Sequence, residues 1–109
     1  MNEQEYEARA MPELKQLTRA LDELEVTGVE VELAGDILTL EFDDGNRYVV
    51  NSHRAARQIW MAAELRAWHF DFLTETERWV AAKSGDELWS TLERVLSARL
   101  GQPVTLKRA

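Results

Sequence analysis

Apolar and polar positions follow two different rhythms along this chain. Between residues 3 and 24, Tyr6, Ala10, Leu14, Leu17, Leu21 and Leu24 recur at steps of three and four. That spacing predicts an amphipathic helix with one apolar stripe. Pro12 falls inside it and has no N–H for the carbonyl of Ala8, so the pattern predicts a kink at Pro12 or a frayed first segment. The rhythm then shortens to two. Val29-Glu-Val-Glu-Leu33 alternates as a half-buried strand, and Ala34-Gly-Asp36 is a turn. Ile37–Phe42 is a second strand, with Leu38, Leu40 and Phe42 inward. Asp43-Asp-Gly-Asn46 is a strong hairpin signal. Strand three is expected at Arg47–Asn51 and strand four at Gln58–Ala62, with a polar loop over 52–57 between them. Trp68-His-Phe-Asp-Phe72 alternates again, three aromatics on one face and His69 and Asp71 on the other. The polar run 74–78 reads as a loop and Trp79–Ala82 as a short sixth strand.

A second helix follows. Ser84-Gly-Asp-Glu87 has the spacing of a capping box, with Ser84 as the cap. Leu88, Leu92, Val95, Leu96 and Leu100 continue the stripe, Gly101 stops it, and Pro103–Leu106 is an apolar tail expected to pack along a helix. Helix, about six strands joined by hairpin-length turns, then helix predicts a two-layer α+β sandwich. Two helices would pack on one face of an antiparallel sheet, with residues 1–109 forming one domain. The other face is left open and holds Thr39, Glu41, Asn51, Gln58 and Trp60. Trp60 is the anomaly on it. If Ile59 and Met61 face the core, alternation turns Trp60 outward, where long neighbouring side chains or a partner protein must cover it.

Charge changes the picture further. The net charge of −7 conceals an asymmetry. Residues 1–45 carry thirteen acids against Arg9, Lys15 and Arg19, a balance of −10, while residues 46–109 carry seven acids and ten bases, a balance of +3. An acidic half repels nucleic acids and anionic membranes and attracts cations and basic proteins. With no cysteine in 109 residues, disulfides, thiolate catalysis and cysteine-ligated metal sites are excluded. The acidic N-terminus and the lack of a long apolar run argue against a secretory signal or membrane span, and a cytoplasmic location is expected.

Candidate chemistry is sparse. His69 and Asp71 share a strand face, a spacing open to a metal pair or an acid–base dyad, although two surface side chains are the plainer reading. His53 has no spaced partner. No nucleophile elbow, phosphate loop or zinc-protease helix occurs, so no catalytic residue is assigned. Glu3, Glu7, Asp22, Glu23, Glu25, Glu30 and Glu32 are different, because one helix and an edge strand would align them as a ridge. Carboxylates suit hard cations such as ferric iron, Mn²⁺ and Ca²⁺, and without a cage they should bind weakly. The alternative is a solvated, solubilising face.

The motifs Asp36-Ile-Leu-Thr-Leu-Glu-Phe-Asp-Asp-Gly45, Tyr48-Val-Val-Asn51, Gln58-Ile-Trp60, Trp68-His-Phe-Asp71 and Lys83-Ser-Gly-Asp-Glu-Leu-Trp89 resemble, in order and spacing, the frataxin family, in particular the short bacterial frataxins. The resemblance implies the sandwich just described and a role in iron–sulfur cluster assembly, as a non-enzymatic regulator or supplier of iron. It implies weak iron binding along the ridge of Glu3, Glu7, Asp22, Glu23, Glu25, Glu30 and Glu32, with no organic cofactor. It also implies association with a cysteine desulfurase and an iron–sulfur scaffold protein through the sheet face of Glu41, Asn51, Gln58 and Trp60. A monomer is expected, with iron-dependent oligomers as the alternative state. The chain departs from the family pattern at the Ser52–Arg57 loop, at Arg66-Ala67, at Glu7 and at Gly28. The competing readings are a ferroxidase or iron-storage protein, and an acidic interaction domain without iron chemistry.

Overall fold

Six strands form one antiparallel meander in chain order: β1 (Val29–Ala34), β2 (Ile37–Phe42), β3 (Arg47–His53), β4 (Gln58–Ala63), β5 (Arg66–Leu73) and β6 (Arg78–Ala81). A helix precedes the sheet, α1 (Glu3–Asp22), and another follows it, α2 (Leu88–Leu100). The structure, a computed structural model, describes residues 1–108. The alternation of each strand decides its facing. Leu38, Leu40, Val50, Ile59, Met61 and Phe70 are buried on one side of the sheet, where α1 lies against β1 and β3 and α2 against β6. Tyr6, Ala10, Leu14, Leu17 and Leu21 of α1 complete the core, as the stripe predicts. Burying each such leucine contributes ~1.5–3 kcal/mol. The opposite face of the sheet carries no helix, as expected of the two-layer sandwich. No helix among the described residues is long and apolar enough to cross a membrane.

Three local expectations need correction. First, α1 is continuous from Glu3, so the segment before Pro12 is not frayed. Its start is pinned by a capping box in which Asn2 Oδ1 accepts from Glu5 N–H at 2.8 Å and Glu5 Oε1 accepts from Asn2 N–H at 3.2 Å. Pro12 and Ala8 are both exposed, so the carbonyl that Pro12 leaves free faces water and costs little. Second, Ser84 does not cap α2. Gly85 takes φ +77° and swings the chain away, and Glu87 becomes the cap, its carboxylate accepting from Trp89 and Ser90 N–H. Third, β3 runs on to His53 and β5 begins at Arg66, so the loop after β3 shrinks to Arg54–Arg57.

The extension of β3 has a distant cause. Tyr6 on α1 donates its only hydroxyl proton to the Gln58 carbonyl at 2.7 Å, so the Ser52 hydroxyl, 2.6 Å away, donates to Tyr6. Burial pushes the Tyr6 phenol above its ordinary pKa, which keeps it a neutral donor. These bonds tie Ser52 and Gln58 to the same Tyr6 hydroxyl and carry the ladder past Ser52↔Ile59 to the His53↔Gln58 pair.

The tail packs as expected. Val104 and Leu106 are buried, Val104 N–H donates to Ser97 Oγ at 2.9 Å, and Leu106 N–H donates to Glu93 Oε2 at 2.7 Å. Arg108 then reaches the buried Glu13 carboxylate at 2.9 Å, and Trp89 Nε1–H donates to the same oxygen at 2.5 Å. The guanidinium covers the Trp89 ring at 4.4 Å. This clasp joins α1, α2 and the tail.

Candidate functional site

The open face is organised by rows of cross-strand neighbours. Asn51 lies opposite Trp60, and Trp60 opposite His69. In the next row His53 faces Gln58. Trp60 is half-buried even though no helix covers it. Its cover is two imidazoles: His53 stacks on the indole with ring centroids 3.7 Å apart at 17°, and His69 stacks at 4.1 Å and 12°. The edge of the ring is fixed as well. Trp60 Nε1–H donates to Gln58 Oε1 at 2.8 Å, and Gln58 Nε2–H donates to Asp71 Oδ1 at 3.0 Å. An oxygen–nitrogen relay from Asp71 through Gln58 therefore sets the orientation of the indole. His53 in turn accepts at Nδ1 from Ala56 N–H, 3.3 Å away, which anchors its ring to the turn after β3.

Sequence reading placed Trp60, Gln58 and Asn51 together, and they are together. Spacing alone couples His69 with Asp71 and gives His53 no partner, whereas the sheet brings both imidazoles onto Trp60. The register, not any local motif, makes that contact. Glu41 does not join this cluster. It stands near the β1 edge, opposite Glu30, with Arg47 Nη2 at 3.7 Å from its carboxylate.

Asp22, Glu23, Glu25, Glu30 and Glu32 line the edge formed by the C-terminus of α1 and by β1. Val29, Val31 and Leu33 pack against the core, so alternation turns Glu30 and Glu32 to the open face. Asp22, Glu23 and Glu25 surround the C-terminus of α1, where the helix dipole is already negative and favours a cation. Glu30 directly opposes Glu41, a like-charge pair that costs stability. Asp43 adds a carboxylate that sequence reading missed. A Cβ on Gly28 would lie 3.5 Å from Asp43 Oδ2, and Gly28 adopts φ +89°. Gly28 is thus required by the backbone, and Asp43 supplies acid beside it. Glu3 and Glu7 stand apart, at the far end of α1, about 28 Å and about 22 Å of helix rise from Asp22. Glu7 is paired there with Arg54 Nε at 3.0 Å. Among the described residues no three His, Asp or Glu side chains converge tightly enough to hold a metal ion. The edge is therefore an open electrostatic surface, not a cage.

One covered face, one open face centred on a clamped Trp, and an acidic helix–strand edge define a small two-layer α+β sandwich domain. The family described as "Frataxin-like domain" matches residues 1–102. The chain belongs to the frataxin family. A relative from Ralstonia nicotianae named "Iron-sulfur cluster assembly protein CyaY" is 38% identical over 97% of this chain and 95% of its own length. The protein of the same name from Vibrio cholerae is 30% identical over 95% of this chain and 97% of its own. Among solved structures, the frataxin of Psychromonas ingrahamii shares the fold at a TM-score of 0.87, with 23% identity, covering 99% of this chain and 100% of the other. A trimeric frataxin of Saccharomyces cerevisiae, described as complexed with ferrous iron, matches at a TM-score of 0.57 and 26% identity over 92% of this chain and 86% of the other.

Proposed function

We propose that this chain acts in iron–sulfur cluster assembly, binding iron weakly along its acidic edge and docking on a cysteine desulfurase and its scaffold protein through the Trp60 face. The observation that carries the reading is the clamped Trp60. A large aromatic held rigid on an uncovered sheet face loses little entropy when a partner seats on it, which is what an interface anchor requires. Asn51 supplies an amide beside it. The acidic edge supports the second half. Glu23, Glu25, Glu30 and Glu32 offer hard oxygen donors with no preformed geometry, which suits transient loading and release of iron as cargo. Kd values in the micromolar range or weaker follow, on the order of −8 kcal/mol or less favourable. The same acids would steer a basic partner, setting association rate and salt sensitivity. The relatives named for iron–sulfur cluster assembly support the pathway, and the yeast frataxin described with ferrous iron supports the iron half of the reading.

One pull-down with the host desulfurase, with and without Fe²⁺, tests the reading on three proteins. The unaltered chain should bind, and its retention should change with Fe²⁺. Trp60→Arg should lose roughly 2 kcal/mol or more of binding while keeping a near-native melting temperature, because a half-buried site lets the guanidinium reach water. A variant with Glu23, Glu25, Glu30 and Glu32 all changed to Gln should still bind through Trp60 but lose the Fe²⁺ response. Undiminished binding by Trp60→Arg would remove the docking site, and an intact iron response in the quadruple variant would remove the edge as the iron surface.

A further inference from the structure

Strand β5 is longer than the strand beside it. It spans Arg66–Leu73, but β6 pairs only with Phe70–Leu73, so Arg66–His69 have β4 on one side and no strand on the other. Backbone direction along this stretch follows from the turn. Glu64 and Leu65 form a two-residue hairpin with φ +52° and +62°, closed by the pair Ala63↔Arg66. The closing pair of such a hairpin exchanges both backbone bonds, and the strand alternates from there. Trp68 and Phe70 therefore bond to β4, while the N–H and C=O groups of Ala67 and the N–H of His69 point away from β4; the His69 C=O faces Ala82, next to the last β6 pair, Phe70↔Ala81. No turn or loop backbone bond among the described residues uses Arg66–His69.

The chain beyond β6 leaves this edge open instead of covering it. Ala81 N–H turns back to the Asp86 carbonyl at 2.8 Å, and Gly85 N–H donates to the Ala81 carbonyl at 2.8 Å. Between that tight turn and the β5 edge lies a cavity of about 530 Å³, bounded by Ala67, His69, Lys83 and Ser84. Two cations stand on its rim, and neither Arg66 nor Lys83 has a carboxylate partner among the described residues. The acids nearby are engaged. Asp86 accepts from Trp68 Nε1–H at 3.0 Å and lies 3.6 Å from Arg94, and Asp71 accepts from Gln58.

We propose that this notch takes an extended acidic segment of a protein partner as a seventh strand against β5. Alternating N–H and C=O groups at strand spacing are matched by another polypeptide in extended form and by little else. The free stretch would accept about three residues, ~10 Å of strand. Charge selects among polypeptides. A second copy of this chain would set Arg66 and Lys83 against their own counterparts, whereas Glu or Asp side chains would meet two cations that have no carboxylate partner among the described residues, Arg66 resting over the Trp68 ring at 4.7 Å. A nucleic acid has the phosphates but no ladder of donors and acceptors. Ala67 contributes only a methyl to the open face, which leaves room for the incoming side chains. The notch adjoins the Trp60 face through His69, whose ring stacks on Trp60 while its backbone lines the edge, but it does not depend on that face for binding.

The test is an NMR titration of the ¹⁵N-labelled chain with a blocked octapeptide of alternating Glu and Val, against the Lys and Val counterpart. The acidic peptide should shift the amides of Ala67 and His69 and slow exchange of the Ala67 amide, and the basic peptide should not. Arg66→Glu with Lys83→Glu should weaken the acidic peptide at least tenfold. Ala67→Pro, which removes one edge donor and which an edge strand tolerates, should do the same without a large change in melting temperature. Shifts centred elsewhere, equal binding of the basic peptide, undiminished binding by the charge-reversed variant, or no binding at millimolar peptide would each overturn the proposal.

Discussion

At the residue scale, the side chains that matter most are placed by partners far away in sequence. His53 and His69 touch Trp60 only because β3, β4 and β5 lie in one register, and nothing in their own neighbourhoods signals it. Trp60 itself was legible, since alternation alone turns it outward between Ile59 and Met61. Glu13 was not: it sits on the apolar stripe and is buried because Trp89 and Arg108 satisfy its carboxylate. Leu65 is a third case. It is fully solvent-exposed, its φ is +62°, and it is one of two consecutive left-handed residues without a glycine between them. An L-residue in this region costs ~1–2 kcal/mol, which glycine avoids. Leu65→Gly should therefore stabilise the fold by about 1 kcal/mol, seen as a higher urea midpoint at unchanged slope. A lower midpoint would mean that the Leu65 side chain contributes packing that its exposure conceals.

At the element scale, the strands were legible to within about two residues and so was the start of α1, but the start of α2 was not. Alternation is a local signal, and the turns at Gly35-Asp36 and Asp43–Asn46 announce themselves in Gly, Asp and Asn, whereas those at Arg54–Arg57, Glu64-Leu65 and Thr74–Glu77 carry none of the three. The start of α2 misled because Ser84 and Glu87 have capping-box spacing, while Gly85 and the antiparallel contact between Val80 and Glu87 require an extended chain there. That detour has a function in stability. It places Asp86 under the Trp68 indole, and this hydrogen bond, with help from Ser84, holds the Asp86 carboxyl below its ordinary pKa. A carboxylate with a lowered folded pKa contributes stability above its unfolded pKa of about 3.9 and loses it as pH falls through the folded value. Asp86→Asn still accepts from Trp68 but cannot titrate. Its melting temperature should fall less steeply than that of the unaltered chain between pH ~4 and ~2. An identical acid limb would show that the Trp68 contact does not distinguish charged from neutral Asp86.

At the scale of the whole molecule, the sandwich was readable because every sheet pairing joins consecutive strands, so local patterns suffice to specify it. The uneven charge was readable too, although not its division between the α1–β1 edge and the distant Glu3–Glu7 end, which depends on the length of an unbroken helix. What no local pattern announced is the clasp of Arg108 on Glu13, a contact spanning 95 residues. Breaking it with Arg108→Ala strands a carboxylate that Trp89 alone must satisfy. The cost should be about 2 kcal/mol, below that of a fully enclosed pair because Arg108 is 28% exposed. The clasp also carries a consequence for the order of assembly. Neighbouring strands can zip in sequence at little loop-closure cost, whereas Glu13 must wait until the whole sheet and α2 have brought Arg108 within reach. A contact made after the rate-limiting step slows escape from the native state without hastening arrival. Stopped-flow measurements on Arg108→Ala should then show the whole destabilisation in faster unfolding, with an unchanged refolding rate. A matching slowdown in refolding would place the clasp in the folding nucleus, and the ends of the chain would then meet early.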